Sequence, residues 1–300
     1  MGHLLAMTDW DRPRLEAFFP RAQAALEALE GGPAPVPSRL AGRWLANLFF
    51  EDSTRTRLSF ETAATSLGMR VANWSEGGSS VSKGESLPDT IRSVDAMGPA
   101  AIVIRHPQSG APGLVARYAK AVVINAGDGT HEHPSQALLD TFTLWKRWGS
   151  FEGRRVAIVG DVLHSRVARS NLTALRTLGA EVVLVAPPSL LPAGVEEMGA
   201  STTSDFDAIL PEVDAVMMLR LQIERQKEAF FPSVRDYGRR FSLTEAREKT
   251  LKPEALVLHP GPMNRGVEIA SAVADGPRSL VLSQVTYGVA VRRALLEVLL

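Results

Sequence analysis

The densest group of residues able to do chemistry is Phe50-Glu51-Asp52-Ser53-Thr54-Arg55-Thr56-Arg57-Leu58-Ser59-Phe60-Glu61. Hydroxyls alternate with guanidiniums where a strand is expected to give way to a helix. Side-chain donors there join the unpaired N–H groups and positive end of the helix, so the segment reads as an anion cradle, suited to phosphate. A plain Ser/Thr N-cap flanked by surface arginines is the alternative, and the repeated Arg-and-hydroxyl alternation weighs against it. No Gly-x-x-x-x-Gly-Lys precedes the segment, so it is not a nucleotide-type phosphate loop. Arg105, in Arg105-His106-Pro107-Gln108, follows a strand expected over 101–104. It either points at a substrate oxygen or sits exposed in a turn.

Downstream, Gly127-Asp128-Gly129-Thr130-His131-Glu132-His133-Pro134-Ser135-Gln136 is a loop entering a helix. Two nearby histidines without a convincing third ligand are weak evidence for metal, and none is expected. His133 and Gln136 stand three apart across a helix start and can face one ligand, the histidine as donor and the amide as donor and acceptor.

In the second half, Gly160-Asp161-Val162-Leu163-His164-Ser165-Arg166 occupies a first strand-to-helix turn but lacks the later glycines of Gly-x-Gly-x-x-Gly. A dinucleotide pyrophosphate could not approach that backbone closely, so no nicotinamide cofactor is expected. Arg166 can instead fork onto a small anion, as can Arg220 in Met217-Met218-Leu219-Arg220-Leu221-Gln222; a surface ion pair is the alternative for each. His259-Pro260-Gly261-Pro262-Met263-Asn264-Arg265-Gly266 forms an irregular turn whose carbonyls can face a ligand. Lys83, in the Gly/Ser-rich run 77–85, is a movable cation for a site or a solvated loop charge.

These residues need elements to hold them. Helices are expected over 12–29, 54–67 and 134–148 and after His164, with strands over 44–50, 70–74, 101–104, 121–125, 155–159, 181–186, 215–219 and 255–259. Such alternation predicts an α/β fold of two doubly wound parallel-sheet domains joined by interdomain helices. The boundaries expected are 1–148, 149–283 and a C-terminal helix over 284–300 that packs against something larger than its own hairpin. Three hundred residues suit two domains. Lys+Arg and Asp+Glu both number 33 and balance within each half, 15 against 15 up to residue 150 and 18 against 18 after it, which argues against a nucleic-acid binder. Cysteine is absent, removing disulfides, thiolate catalysis and cysteine-based metal sites. Neither a secretory signal nor an apolar run of about 20 residues is present, so a cytoplasmic protein without membrane contact is expected.

Together, Ser53-Thr54-Arg55-Thr56-Arg57, His133-Pro134-Ser135-Gln136 and His259-Pro260-Gly261-Pro262-Met263-Asn264-Arg265-Gly266, in that order and spacing, resemble the aspartate/ornithine carbamoyltransferase family over essentially the whole chain. The Ser-x-Arg element after Gly160-Asp161 and the Arg220-x-Gln222 pair complete the likeness. The resemblance implies a carbamoyl-phosphate domain, an aspartate domain, no cofactor, and a last helix returning to the first domain. By position it implies that Ser53, Thr54, Arg55, Thr56 and Arg105 hold phosphate, and that Thr56, Arg105 and His133 also reach the carbamoyl oxygen. Gln136 and carbonyls near Gly261 and Pro262 would take the carbamoyl NH2. Arg166, Arg220 and Lys83 would bind the aspartate carboxylates, with Gln222 in support. Ser79, Ser80 and Ser82 compete for one further phosphate contact.

The family's lysine loop comes from a neighbouring subunit, which implies a homotrimer with shared active sites, standing alone or joined to a regulatory chain or dihydroorotase. The expected reaction is carbamoyl transfer from carbamoyl phosphate to L-aspartate, an early step of pyrimidine synthesis. Ornithine as acceptor is the closest alternative. The ornithine branch carries a cysteine in the late loop and an Asp with Ser-Met-Gly in the second domain; here that loop has Gly261, and arginines stand in the second domain. A non-catalytic scaffold subunit is a third possibility, against which the presence of the principal site residues counts.

Overall fold

The structure, a computed structural model, describes residues 2–31, 38–75, 84–221 and 233–300. Lys83, Gln222 and the serines Ser79, Ser80 and Ser82 lie outside them. The chain divides into two compact units, Met1–Phe142 with Val285–Leu300, and Thr143–Gln284.

In the first unit, β1 (Trp44–Phe49), β2 (Arg70–Ser75), β3 (Ala101–His106) and β4 (Val122–Asp128) form one sheet in the order β2-β1-β3-β4, every adjacent pair parallel. Parallel neighbours need crossovers, supplied by α2 (Thr54–Ser66), α3 (Leu87–Ala96) and α4 (Ala111–Tyr118), with α1 (Arg12–Glu30) before them and α5 (Pro134–Trp148) after. β4 is buried along its whole length, as a strand covered on both faces must be. Its outer edge pairs with the N-terminal segment, Leu4 N–H donating to Val123 O at 2.9 Å and Asn125 N–H to Leu4 O at 2.8 Å.

In the second unit, β5 (Arg155–Val159), β6 (Glu181–Val185), β7 (Ser201–Thr203), β8 (Ala215–Met218) and β9 (Leu256–Leu258) follow the order β7-β6-β5-β8-β9, again all parallel. α6 (Arg166–Thr177), α7 (Phe206–Ile209), α8 (Val234–Phe241), α9 (Glu245–Glu248) and α10 (Ser271–Ala274) lie between or after these strands, and α11 (Val281–Leu299) ends the chain. The architecture is therefore two doubly wound parallel sheets, as the alternating pattern predicts.

Four details differ from expectation. β3 runs on through Arg105 and His106, because its ladder with β1 and β4 continues past the apolar run. β7 is an additional edge strand whose Ser-Thr-Thr sequence carries no hydrophobic signal. α11 starts at Val281, ahead of 284. The compact units part inside α5, whereas the loop after 148 suggested a later boundary. The opening turns of α5 bury Ala137, Leu138, Leu139 and Phe142, and Phe142 meets Phe19 and Tyr287 at ring distances of 6.4 and 5.6 Å within the first unit.

Sheet order also locates the binding edges. In each sheet the chain winds outward one way and then returns to add strands on the other side, leaving a switch point between β1 and β3 and another between β5 and β8. Ligands bind outside the carboxyl ends of strands at such points. Among the described residues no helix is long and apolar enough to cross a membrane.

Candidate active site

At the first switch point the β1–α2 turn is pinned by Phe50. Its ring lies 4.5 Å from Trp74 and 4.9 Å from His106, and its N–H donates to Arg105 O at 2.9 Å. Ser53 then occupies the N-cap of α2 with extended backbone, yet its side chain makes no capping bond. The first intrahelical bond runs from Arg57 N to Ser53 O at 3.2 Å, so the N–H groups before it lack an intrahelical acceptor. No acidic residue stands in the first turn of α2, so the positive helix end is not neutralised from within the helix. Thr54 and Arg55 are exposed there, while Thr56 is buried.

Arg105 reaches the same edge from the end of β3. Its Nη2 donates to Glu51 Oε1 at 3.0 Å, with both side chains largely out of water, so a desolvated guanidinium is held beside a counter-charge. Ser53, Thr54, Arg55, Thr56 and Arg105 thus converge on the carboxyl ends of two adjacent strands.

The neighbouring strand β4 supplies the loop before α5. Asp128, fully buried, organises it: Oδ2 accepts from Gly110 N at 2.6 Å, and Oδ1 accepts from Asn125 Nδ2 at 2.9 Å and Glu132 N at 3.1 Å. His131 Nδ1 lies 3.0 Å from Oδ2, so this histidine ties the loop together. Gly129, at φ +49, admits no side chain, since a Cβ would come within 2.8 Å of Ser109 N. The loop delivers His133, buried, to the start of α5, where its carbonyl accepts from Gln136 N at 2.9 Å and Ala137 N at 3.2 Å. Ser135 Oγ lies 3.4 Å from His133 Nδ1, and Gln136 Nε2 donates to Asp140 Oδ1 at 2.9 Å. Asp128 and Asp140 were not singled out from the sequence. An Asp closing a strand before a Gly-rich loop, and one four residues after a helical Gln, are the signals that could have found them.

At the second switch point, Gly160 has φ +127, and a Cβ there would lie 2.9 Å from the Tyr237 hydroxyl and 3.1 Å from Leu219 O. Its glycine therefore serves close approach of α8 and of the chain leaving β8. Asp161, fully buried, accepts from His164 N at 3.2 Å and lies 2.8 Å from its Nδ1, bending the chain into α6. Ser165 caps α6, accepting from Ala168 N at 3.1 Å. Arg166, buried, comes next in a first turn without acidic residues. Arg220 lies just beyond β8. These arginines stand at the carboxyl ends of adjacent strands, as a small-anion site requires.

The loop after β9 is equally fixed. Gly261 N–H donates to His259 Nδ1 at 2.8 Å, so that nitrogen is unprotonated and Nε2–H faces Glu268 Oε1 at 3.2 Å. The same Glu268 oxygen accepts from Asn264 N, and Asn264 Nδ2 donates to Leu221 O at 3.2 Å. Gly261 and Pro262 thus sit in a turn braced by a wholly buried His–Glu pair. Tyr237 is buried between Glu268 and Asp161; burial first, then these charges, push its phenol well above the usual range and keep it protonated.

Two family models match the chain. The carbamoyl-P binding domain of aspartate/ornithine carbamoyltransferase covers residues 2–146, and the Asp/Orn binding domain covers 152–299. The aspartate carbamoyltransferase catalytic subunit of Myxococcus xanthus is 62% identical over 298 residues, 99% of each chain. That of Acidothermus cellulolyticus is 57% identical over 300 residues, 100% of this chain and 93% of its own. Among solved structures, aspartate transcarbamoylase from Trypanosoma cruzi in complex with N-(phosphonacetyl)-L-aspartic acid matches with a TM-score of 0.92 at 33% identity, covering 100% of this chain and 96% of that one. The complex of the same enzyme with carbamoyl phosphate and aspartate matches at 0.92 and 32%, covering 100% and 97%.

Proposed function

Because the chain belongs to the aspartate/ornithine carbamoyltransferase family, we propose that it transfers the carbamoyl group of carbamoyl phosphate to the α-amino group of L-aspartate, giving N-carbamoyl-L-aspartate and phosphate. The observation that carries this reading is the first switch point: an acid-free helix N-terminus whose N-cap hydroxyl is not used for capping, next to Arg105. A phosphate there meets backbone N–H groups, hydroxyls and guanidiniums together.

Ser53, Thr54, Arg55, Thr56 and Arg105 hold the phosphate. Thr56, Arg105 and His133 point donors at the carbonyl oxygen; a Ser135 hydroxyl donating to His133 Nδ1 leaves Nε2–H as the histidine's donor. Gln136 and the carbonyls of Gly261 and Pro262 take the NH2. Arg166 and Arg220 bind the carboxylates of aspartate, together with Lys83 and Gln222. The α-amine of aspartate, once it has given its ammonium proton to solvent, attacks the carbonyl carbon. The C–N bond forms, charge collects on oxygen under the donors, and the intermediate collapses as the C–O bond to phosphate breaks. The departing phosphate accepts the amine proton, so no strong protein base is needed. Holding the reactants together and stabilising that oxygen supply the rate, each donor contributing about 3–4 kcal/mol.

The active form is a cytoplasmic homotrimer with sites shared between subunits, in pyrimidine synthesis, to which a regulatory chain or dihydroorotase can attach. No metal, cofactor, nucleic acid or membrane is required. The test is a steady-state assay with carbamoyl phosphate against L-aspartate and L-ornithine, on a sample sized by light scattering. Carbamoylation of aspartate by a trimer is expected. Turnover with ornithine alone, or none with either, would overturn the reading.

A further inference from the structure

Gln136 and Asp140 stand one turn apart on α5, both buried, with Gln136 Nε2 donating to Asp140 Oδ1 at 2.9 Å. An ionised carboxylate only accepts, so the amide must turn its NH2 toward Asp140. Oε1 is thereby committed as an acceptor on the other side. Within the same unit α11 buries Arg292, whose Nη1 donates to Ser59 Oγ at 2.9 Å and Gly288 O at 3.1 Å and whose guanidinium lies 5.2 Å over Phe60. Burial lowers Arg292 to about 10, an effect the Asp140 charge opposes. The guanidinium is therefore cationic at neutral pH, a buried positive charge that the Asp140 charge helps to stabilise.

We infer that Asp140 is the positioning residue that sets acyl-group specificity: by locking the Gln136 amide it turns this part of the site into an obligatory acceptor. A carbamoyl NH2 satisfies that acceptor. The methyl of acetyl phosphate leaves it unpaired in a desolvated site, the condition under which a missing hydrogen bond discriminates most. The inference rests on the proposed carbamoyl transfer and names what selects the NH2. Activity of the wild type tests that reading, and ratios among variants test the role of Asp140.

Asp140→Asn can both donate and accept, so the Gln136 amide becomes free to turn over. The expected result is a KM for carbamoyl phosphate raised roughly tenfold, the worth of one hydrogen bond, with inhibition by inorganic phosphate unchanged. Discrimination between carbamoyl phosphate and acetyl phosphate as competing ligands falls by a similar factor. In a Gln136→Ala background, Asp140→Asn has no further effect. The exchange variant Gln136→Glu/Asp140→Asn reverses the pair, a donor at 140 now holding a carboxylate that presents an acceptor from 136 with one buried charge retained, and recovers most of the affinity that Gln136→Glu loses. This last comparison holds even if Asp140→Asn alone fails to fold. Phosphate inhibition weakening in step with the carbamoyl phosphate KM, a full additive loss in the Gln136→Ala background, or an exchange variant no better than Gln136→Glu would each overturn the inference.

Discussion

Ser53 stands at the N-cap of α2 without capping it, whereas Ser165 stands at the N-cap of α6 and accepts from Ala168 N at 3.1 Å. The two serines should therefore answer the same substitution differently. Ser165→Ala loses a cap worth about 1 kcal/mol, read as a lower denaturant midpoint. Ser53→Ala leaves the midpoint in place and raises the KM for carbamoyl phosphate roughly tenfold, the value of one hydrogen bond to a charged group. Equal loss of stability in both variants would return Ser53 to a merely structural role. Arg55→Ala is the stronger test of the cradle. Removal of a donor that acts on developing charge costs about 3 kcal/mol, or a hundredfold to thousandfold in kcat. Wild-type turnover in Arg55→Ala would refute the phosphate assignment. The helix starts that carry the Ser53-to-Arg57 run and the His133/Gln136 pair were legible because their signal is local. Asp128, Asp140 and Glu268 were not, because what each carboxylate does depends on donors brought to it by other parts of the fold.

Elements act on the site through the turns they share. Gly160 joins β5 to the turn before α6 while Tyr237 of α8 and Leu219 beyond β8 press on it. Gly160→Ala meets both contacts and a backbone region that side chains avoid, and should cost about 2–3 kcal/mol in chemical denaturation. Adding Tyr237→Phe removes only the hydroxyl contact, so it should recover a minor part of the loss; full recovery would show that backbone conformation and Leu219 O are unimportant. Asp128→Asn probes the corresponding loop in the first unit. One amide oxygen must then serve donors that two carboxylate oxygens served, for a cost of about 2 kcal/mol, and kcat should fall because the loop carries His133. The apolar strands and the amphipathic helices were readable from their periodicity. The extension of β3 through Arg105 was not, since a parallel ladder is made by backbone groups and continues where side chains turn polar. β7 escaped for a related reason, being a short polar edge strand next to β6.

At the scale of the whole molecule, equal numbers of acidic and basic residues conceal a local pattern. Each sheet brings basic side chains to its own switch point, Arg55 and Arg105 in the first unit, Arg166 and Arg220 in the second. Arg105 already faces Glu51, so a dianionic phosphate and two carboxylates outweigh the charge of the remaining arginines, and the proposed trimer answers this with Lys83 lent by a neighbouring chain. Chains bearing Lys83→Ala and chains bearing His133→Ala should each be nearly inactive alone. After mixing and verified subunit exchange, a site is intact where a Lys83→Ala chain supplies His133 and its neighbour, carrying His133→Ala, supplies Lys83. Random reassembly makes that combination at roughly a quarter of the sites, so about that fraction of wild-type kcat should return. Activity should track the hybrid trimer when species are separated by charge. No recovery despite exchange would mean that each chain completes its own site, and Lys83 would then have to act within the subunit that carries it.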